Sequence, residues 1–233
     1  MIDFHSHILP QIDDGAQSID ESITMLKSLK EQGVNTVALT SHYIATDESP
    51  EEFLQKRQEA FELLNREIKQ SDEQLPKLLL GAEVYYYPGI LKMDQLSQLT
   101  LGDTNVLLLE MPMAPWSEFN IRELTEFANF SDIQLVMAHI ERYFKFMKKG
   151  TVERLLDSGI LMQANASFFY SKKTKRKALK MFDNGYIHFL GSDCHNIKYR
   201  PPKISDAIDV INDKFSSDAV DAFFNEQKEI LGI

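Results

Sequence analysis

Five histidines, His5, His7, His42, His139 and His195, stand where an apolar, strand-like run stops, and four carboxylates keep them company. Glu83, Glu110 and Asp193 close apolar runs, and Asp14 lies in the loop after the first. Imidazole and carboxylate without thiolate form a donor set for manganese, iron, zinc or magnesium. His5 and His7 are two apart, so in extended chain both rings leave one face and aim at one ion; Asp193 and His195 repeat that spacing, with Cys194 turned away. Glu83, Glu110 and His139 each follow four or more mostly apolar residues, where a lone charge is costly to bury without a partner or a cation. A single strand-end histidine is more often a structural residue, and His188, inside IHFL, is assigned that role. The ordered series is a stronger signal and points to a multinuclear metal site. Asp13, beside Asp14, could equally shape an Asp-Gly turn.

Two arginines extend the reading from metal to phosphate. Arg142 lies three residues after His139 and Arg200 five after His195, in loops expected over the same mouth. A guanidinium pairs bidentately with phosphate oxygens, and charge stabilisation is most of what phosphoryl transfer asks of a protein. A metal lowers the pKa of its water to about 7, so a metal-bridging hydroxide is the expected nucleophile. Catalysis is therefore assigned to Arg142, Arg200 and Asp193. Tyr43, Met113, Trp116, Tyr143, Phe168 and Phe169 follow strand ends and could form an apolar rim or pack the loops. Cys194 and Arg200 have the Cys-x5-Arg spacing of cysteine-dependent phosphatases, but HNIKY between them lacks glycine, two prolines follow, and Asp193 would raise the thiol pKa. Cys194 is expected to be a packed side chain.

Elements able to gather these residues are visible as seven short runs: Ile2 to His5, TVALTSH, KLLLGAE, NVLLLE, IQLVMAH, ILMQAN and IHFLGSD. Helical stretches separate them. One starts after Ser18, with Glu21 completing a capping box and Ile19, Ile23, Leu26 and Leu29 on one face; another starts at Pro50 behind Ser49, with Glu52 as its cap partner, and runs to about Gln70. Strands alternating with helices predict an α/β fold with a parallel sheet closed as a barrel, whose active residues collect at the carboxyl ends of strands. With 233 residues and 43% apolar content, one domain spanning 1–233 is expected. The net charge of −10 argues against a broad nucleic-acid surface. No apolar stretch reaches a membrane span and no signal-type segment opens the chain. A single cysteine excludes an intramolecular disulfide, which makes the cytoplasm the default compartment.

The motifs FHSHILPQIDDG, TSHY, GAEVYYYP, LLLEM, AHIERY and GSDCHNIKYRPP resemble the PHP (polymerase and histidinol phosphatase) superfamily. Within it they resemble the bacterial protein-tyrosine phosphatases of Gram-positive capsule and exopolysaccharide clusters. The resemblance implies a distorted seven-stranded (β/α) TIM-like barrel, the PHP fold, holding three divalent metal ions, with manganese favoured. It implies one ion on His5, His7, Glu83 and Asp193, a second on Glu83, Glu110 and His139, and a third on Asp14, His42 and His195. It implies, too, that the substrate is an autophosphorylated bacterial tyrosine kinase, with phosphate contact from Arg142 and Arg200. The alternatives are a PHP phosphatase for histidinol phosphate or a nucleotide, a DNA exonuclease, and a non-enzymatic kinase-binding regulator. An amidohydrolase, which commonly has a bridging lysine, fits less well because Glu83 and Glu110 hold the candidate bridging positions.

Overall fold

The computed structural model describes residues 1–70 and 74–233. Nine short strands are present among the described residues: β1 (Ile2–Asp3), β2 (Thr36–Leu39), β3 (His42–Tyr43), β4 (Lys77–Leu80), β5 (Glu83–Tyr85), β6 (Val106–Glu110), β7 (Gln134–Met137), β8 (Leu161–Asn165) and β9 (Phe189–Gly191). The helices between and after them are α1 (Ile19–Glu31), α2 (Pro50–Gln70), α3 (Glu118–Phe130), α4 (Thr151–Asp157), α5 (Ala166–Tyr170), α6 (Lys175–Asp183), α7 (Ser205–Lys214) and α8 (Ser217–Leu231).

Every strand pair is parallel, and the ladders run β1-β2-β4 and β3-β5-β6-β7-β8-β9. The expected seven runs become nine strands because TVALTSH breaks between β2 and β3, and KLLLGAE breaks beside it between β4 and β5. At this seam side chains take over from the ladder. Thr40 Oγ1 donates to Ser6 O and accepts from Ser6 N at 3.0 Å, while buried Arg57 donates to Gly81 O at 3.0 Å. Gly81 is required there, because a Cβ would lie 2.3 Å from Leu101 Cδ2. The ring closes where Phe4 N donates to Leu190 O, Asp193 N to His5 O and His7 N to Cys194 O, joining the first run to the last. The result is the distorted parallel barrel expected, with Phe4 stacked on Phe189 at 3.8 Å across the closure.

Both helix starts form as their sequences require. Ser18 caps α1 by accepting from Glu21 N, although the Glu21 carboxylate reaches Gln17 N rather than Ser18 N. Ser49 and Glu52 cap α2 reciprocally, Glu52 N donating to Ser49 Oγ and Ser49 N to Glu52 Oε2. Met25, Leu26 and Leu29 of α1 and Phe53, Ala60 and Leu64 of α2 are buried in one apolar cluster with the strands. Burial of each of the larger of these side chains contributes roughly 1.5–3 kcal/mol, which holds the loops at the strand ends in register. No helix among the described residues is long and apolar enough to cross a membrane.

Candidate metal centre

The carboxyl ends of the strands bring all nine predicted donor residues to one place. His5 and His7 follow β1, His42 follows β2 and Glu83 follows β4 as the first residues past the seam, Glu110 ends β6, His139 follows β7, and Asp193 and His195 follow β9. Glu83 is central. Its Oε2 lies 3.1 Å from His5 Nε2, 3.4 Å from His7 Nε2 and 3.0 Å from His42 Nδ1, while Oε1 lies 2.9 Å from His139 Nε2. Glu110 Oε1 is 3.3 Å from the same His139 nitrogen. Asp193 Oδ1 is 3.7 Å from His5 and 3.6 Å from His7. Asp14, on the exposed lip, reaches His195 Nε2 at 3.3 Å and His42 Nε2 at 3.6 Å.

These donors fit divalent cations. Three groups have ligand atoms mutually within 4.8 Å: His5, His7 and Asp193; His42, Glu83 and Glu110; and His7, Asp14, His42 and His195. His7 and His42 each serve two groups, so the site is a continuous cluster rather than separate cages. Glu83 Oε2, His42 Nδ1 and His195 Nε2 are buried without a hydrogen-bond partner despite their close neighbours, and such groups are costly unless a cation satisfies them. His5 Nε2 and His7 Nε2 face each other at 3.1 Å, an approach that a shared ion explains better than two imidazoles meeting.

Residues around the donors set their direction and charge. Asp13 Oδ2 lies 2.7 Å from His7 Nδ1 and accepts from His42 N, so Asp13 orients a donor as well as shaping the turn, where its Oδ1 accepts from Gly15 N. Gln163 Oε1 lies 3.2 Å from His5 Nδ1 and accepts from His139 N; its amide donates to Asn165, which donates to Asp193 Oδ2. Gln163 and Asn165 are not among the residues expected at the site, although two polar side chains in the otherwise apolar run MQAN are a usable signal. Burial alone would lower His7, but Asp13 and Glu83 push it up to about 10. His139 is likewise raised to about 9 against burial by Glu110 and Glu83. Burial opposes ionisation of Glu83 and Asp193 too, yet surrounding histidines, and Arg142 for Asp193, hold both well below the usual carboxylate range.

Local backbone is specialised for the same purpose. His139 (φ 30°) and Asp193 (φ 54°) occupy the left-handed region, a cost of roughly 1–3 kcal/mol each that the surrounding contacts must offset. A Cβ on Gly15 would lie 2.2 Å from His7 O, and one on Gly191 would lie 2.5 Å from His5 Cβ. Both glycines let the backbone pass directly beneath a donor histidine.

The family described as "Capsular polysaccharide synthesis, CpsB/CapC" matches residues 1–231. The chain belongs to the CpsB/CapC family. It is 30% identical over 245 residues to the tyrosine-protein phosphatase CpsB of Streptococcus agalactiae, covering 99% of this chain and 98% of the relative. It is 30% identical over 242 residues to the tyrosine-protein phosphatase YwqE of Bacillus subtilis, covering 99% of this chain and 91% of that one. A solved structure from work on YwqE and Streptococcus pneumoniae CpsB, described as metal-dependent tyrosine phosphatases, superposes with a TM-score of 0.85 at 26% identity, covering 99% of this chain and 94% of that one. A histidinol phosphate phosphatase from Lactococcus lactis shares the fold, with a TM-score of 0.58 at 12% identity over 92% of this chain and 94% of that one.

In this member of the CpsB/CapC family Arg142 and Arg200 reach the cluster from opposite loops and donate to different oxygens of Asp193. Asn196 builds the second loop by accepting from the backbone of Lys198, Tyr199 and Arg200. Cys194 is fully buried, burial pushes its thiol pKa up, and Arg200 faces Asp193 instead of the sulfur. Glu141 lies against Asn165 N, and Lys198 stays on the exposed loop. His188, outside the cluster, accepts from Met162 N through Nδ1.

Of the six side chains that could form a rim or pack the loops, five take the packing role. Tyr43, Tyr143 and Phe169 are fully buried, and Trp116 and Phe168 nearly so; Trp116 packs on Tyr143, which packs on His139. These rings support the loops from below because each has an apolar layer to fill. Of the six, only Met113 is exposed, while Tyr199 (89% exposed) and Ile197 (46%) project from the loop that carries Arg200.

Proposed function

We propose that residues 1–233 act as one metal-dependent protein-tyrosine phosphatase domain, which hydrolyses phosphotyrosine on a bacterial tyrosine kinase in the cytoplasm and so regulates capsular or exopolysaccharide synthesis. The observation that carries this reading is the nine-donor cluster with two arginines converging on one of its carboxylates. Three divalent ions, manganese favoured, would supply Lewis-acid charge and acidify the attacking water. His5, His7, Glu83 and Asp193 would hold one, Glu83, Glu110 and His139 a second, and Asp14, His42 and His195 a third.

The chain's own residues account for recognition. Arg142 and Arg200 span the two oxygens of Asp193 and have the reach to clamp two oxygens of a phosphate arriving over it, stabilising charge as the ester bond breaks. Asp193 holds both guanidinium groups at the lip, and Asn165 holds Asp193. Phenol, with a pKa near 10, departs with less need of a proton donor than an aliphatic alcohol. Tyr199 and Ile197 beside Arg200, with Met113 across the mouth loops, offer apolar surface to the phenyl ring. Support for the kinase substrate comes from the names and capsule association of the relatives.

Turnover by the manganese-loaded protein should be compared on a phosphotyrosine peptide, a phosphoserine peptide, histidinol phosphate and single-stranded DNA. Preference for phosphotyrosine is expected. Faster hydrolysis of any other substrate, or no turnover of any, would overturn the reading.

A further inference from the structure

Charge in this acidic chain is strongly segregated. Between residues 144 and 186 fall ten of its 25 lysines and arginines but only three of its 35 acidic residues, a balance of +7 in a protein of net −10, leaving −17 elsewhere. The fold draws part of this segment around a cavity of about 610 Å³ between α4 and α6, whose walls include Lys148, Lys149, Lys177 and Lys180 over Phe144 and Met147. Glu153 is its single acidic lining residue. Lys177 Nζ sits 3.0 Å from the centroid of the Phe144 ring, so the apolar floor fixes one of the cations. Among the described residues, Lys148 has a 3.5 Å contact with Glu118, while Lys149, Lys177 and Lys180 make no ion pair. Unneutralised lysines repel one another, an arrangement better suited to receiving an anion than to stabilising the fold.

The cavity is coupled to the mouth through two strand ends. The chain after β7 carries His139 and Arg142 and then turns directly into Phe144, Met147 and Lys148. The last residue of β8 is Asn165, hydrogen-bonded to Asp193, and the chain after it carries Phe168, whose ring packs on Phe144 at 5.9 Å. A polypeptide with its phosphotyrosine between Arg142 and Arg200 can therefore lay its flanking residues along the Phe144 wall. The concavity and apolar floor favour an extended peptide over the flat surface of a membrane.

We propose that this lysine-lined groove is a second recognition site for the substrate protein, taking acidic residues that flank the phosphotyrosine. The inference rests on the phosphatase reading above and adds the charge of the preferred substrate. The groove raises the local concentration and association rate of anionic segments without touching the phosphoryl group, so it acts on kcat/KM for peptides and leaves small aryl phosphates alone.

The test uses the full chain, metal-loaded, with Lys149→Glu/Lys180→Glu as the variant; both side chains are exposed and line the groove, whose walls include none of the nine donor residues. Two phosphotyrosine peptides are compared, one flanked by Asp and Glu and one by Asn and Gln, alongside p-nitrophenyl phosphate. The parent protein should prefer the acidic peptide by about tenfold in kcat/KM at low salt, and the preference should shrink as salt screens it. In the variant the preference should disappear while p-nitrophenyl phosphate turnover is unchanged. Equal kcat/KM for the two peptides in the parent, or an equal loss on all three substrates in the variant, would overturn the groove. Charge-dependent binding to phosphatidylglycerol vesicles without any peptide preference would overturn it in favour of a membrane site. Failure to hydrolyse p-nitrophenyl phosphate and both peptides would instead remove the phosphatase reading itself.

Discussion

His7 Nδ1 lies 2.7 Å from Asp13 Oδ2, which leaves Nε2 as the nitrogen that faces the donor cluster. A carboxylate behind a histidine fixes its tautomer and ring direction and raises its basicity, and loss of such a partner typically costs about 10–100-fold in metal affinity. Asp13→Ala should therefore weaken manganese binding by roughly that factor in a calorimetric titration, with the far-ultraviolet dichroism unchanged. Unaltered affinity would restrict Asp13 to its turn.

Removal of either arginine should act on phosphate rather than on metal. Arg142→Ala and Arg200→Ala are each expected to lower kcat/KM by about 10²–10³, the scale of losing one preorganised charged donor, with metal content by elemental analysis preserved. Lysine should restore little, because a point charge cannot reproduce the planar fork. A parallel loss of metal would show that the arginines serve the cluster instead.

Cys194 and the metal make opposite predictions about the nucleophile. Cys194→Ser should retain activity, at a stability cost of about 1 kcal/mol for the buried hydroxyl, whereas exhaustive chelation should abolish turnover and added manganese restore it. Activity that survives chelation would sink the metal mechanism.

Tyr199 is the most exposed apolar side chain at the mouth. Replacing it with alanine should raise KM for a phosphotyrosine peptide by about 2–10-fold, the value of one aromatic contact, and leave a phosphoserine peptide unaffected. Equal effects on both peptides would mean that the ring does not read the aryl group.

His188 provides a pH test away from the cluster. Burial lowers its pKa to about 4, so the unfolded chain, where it titrates near 6.5, binds the proton more tightly. Its contribution to stability is present above that unfolded value and is lost as pH falls toward 4. Denaturant unfolding of His188→Gln should show a flatter decline between these limits than the parent, by ~1–2 kcal/mol. Parallel curves would contradict the assignment of His188 as a neutral structural residue.

How much of this was readable from residues alone depends on the range of the interaction involved. Alternation of apolar runs with capped helices is local, so Ser18, Ser49 and the seven runs were legible, and with them the barrel. The candidate donors were legible as a set that the fold brings together, because a histidine or carboxylate closing an apolar run is anomalous by itself. The splitting of two runs was hidden, since it depends on Arg57 and Ser6 reaching the seam from distant segments.

The sequence by itself determined which atoms are available: eight metal-type donors at strand ends and Asp14 in the first loop, two arginines behind them, and a lysine-rich segment in an acidic chain. Tertiary structure decided who meets whom. It set Glu83 among four histidines, placed Asp13, Gln163 and Asn165 behind the donors, chose packing over rim for five aromatics, and wrapped the lysines around a cavity. The reason is physical: a side chain's chemistry belongs to its own residue, but its burial, its direction and the charges it faces are set by segments that only closure of the barrel brings together.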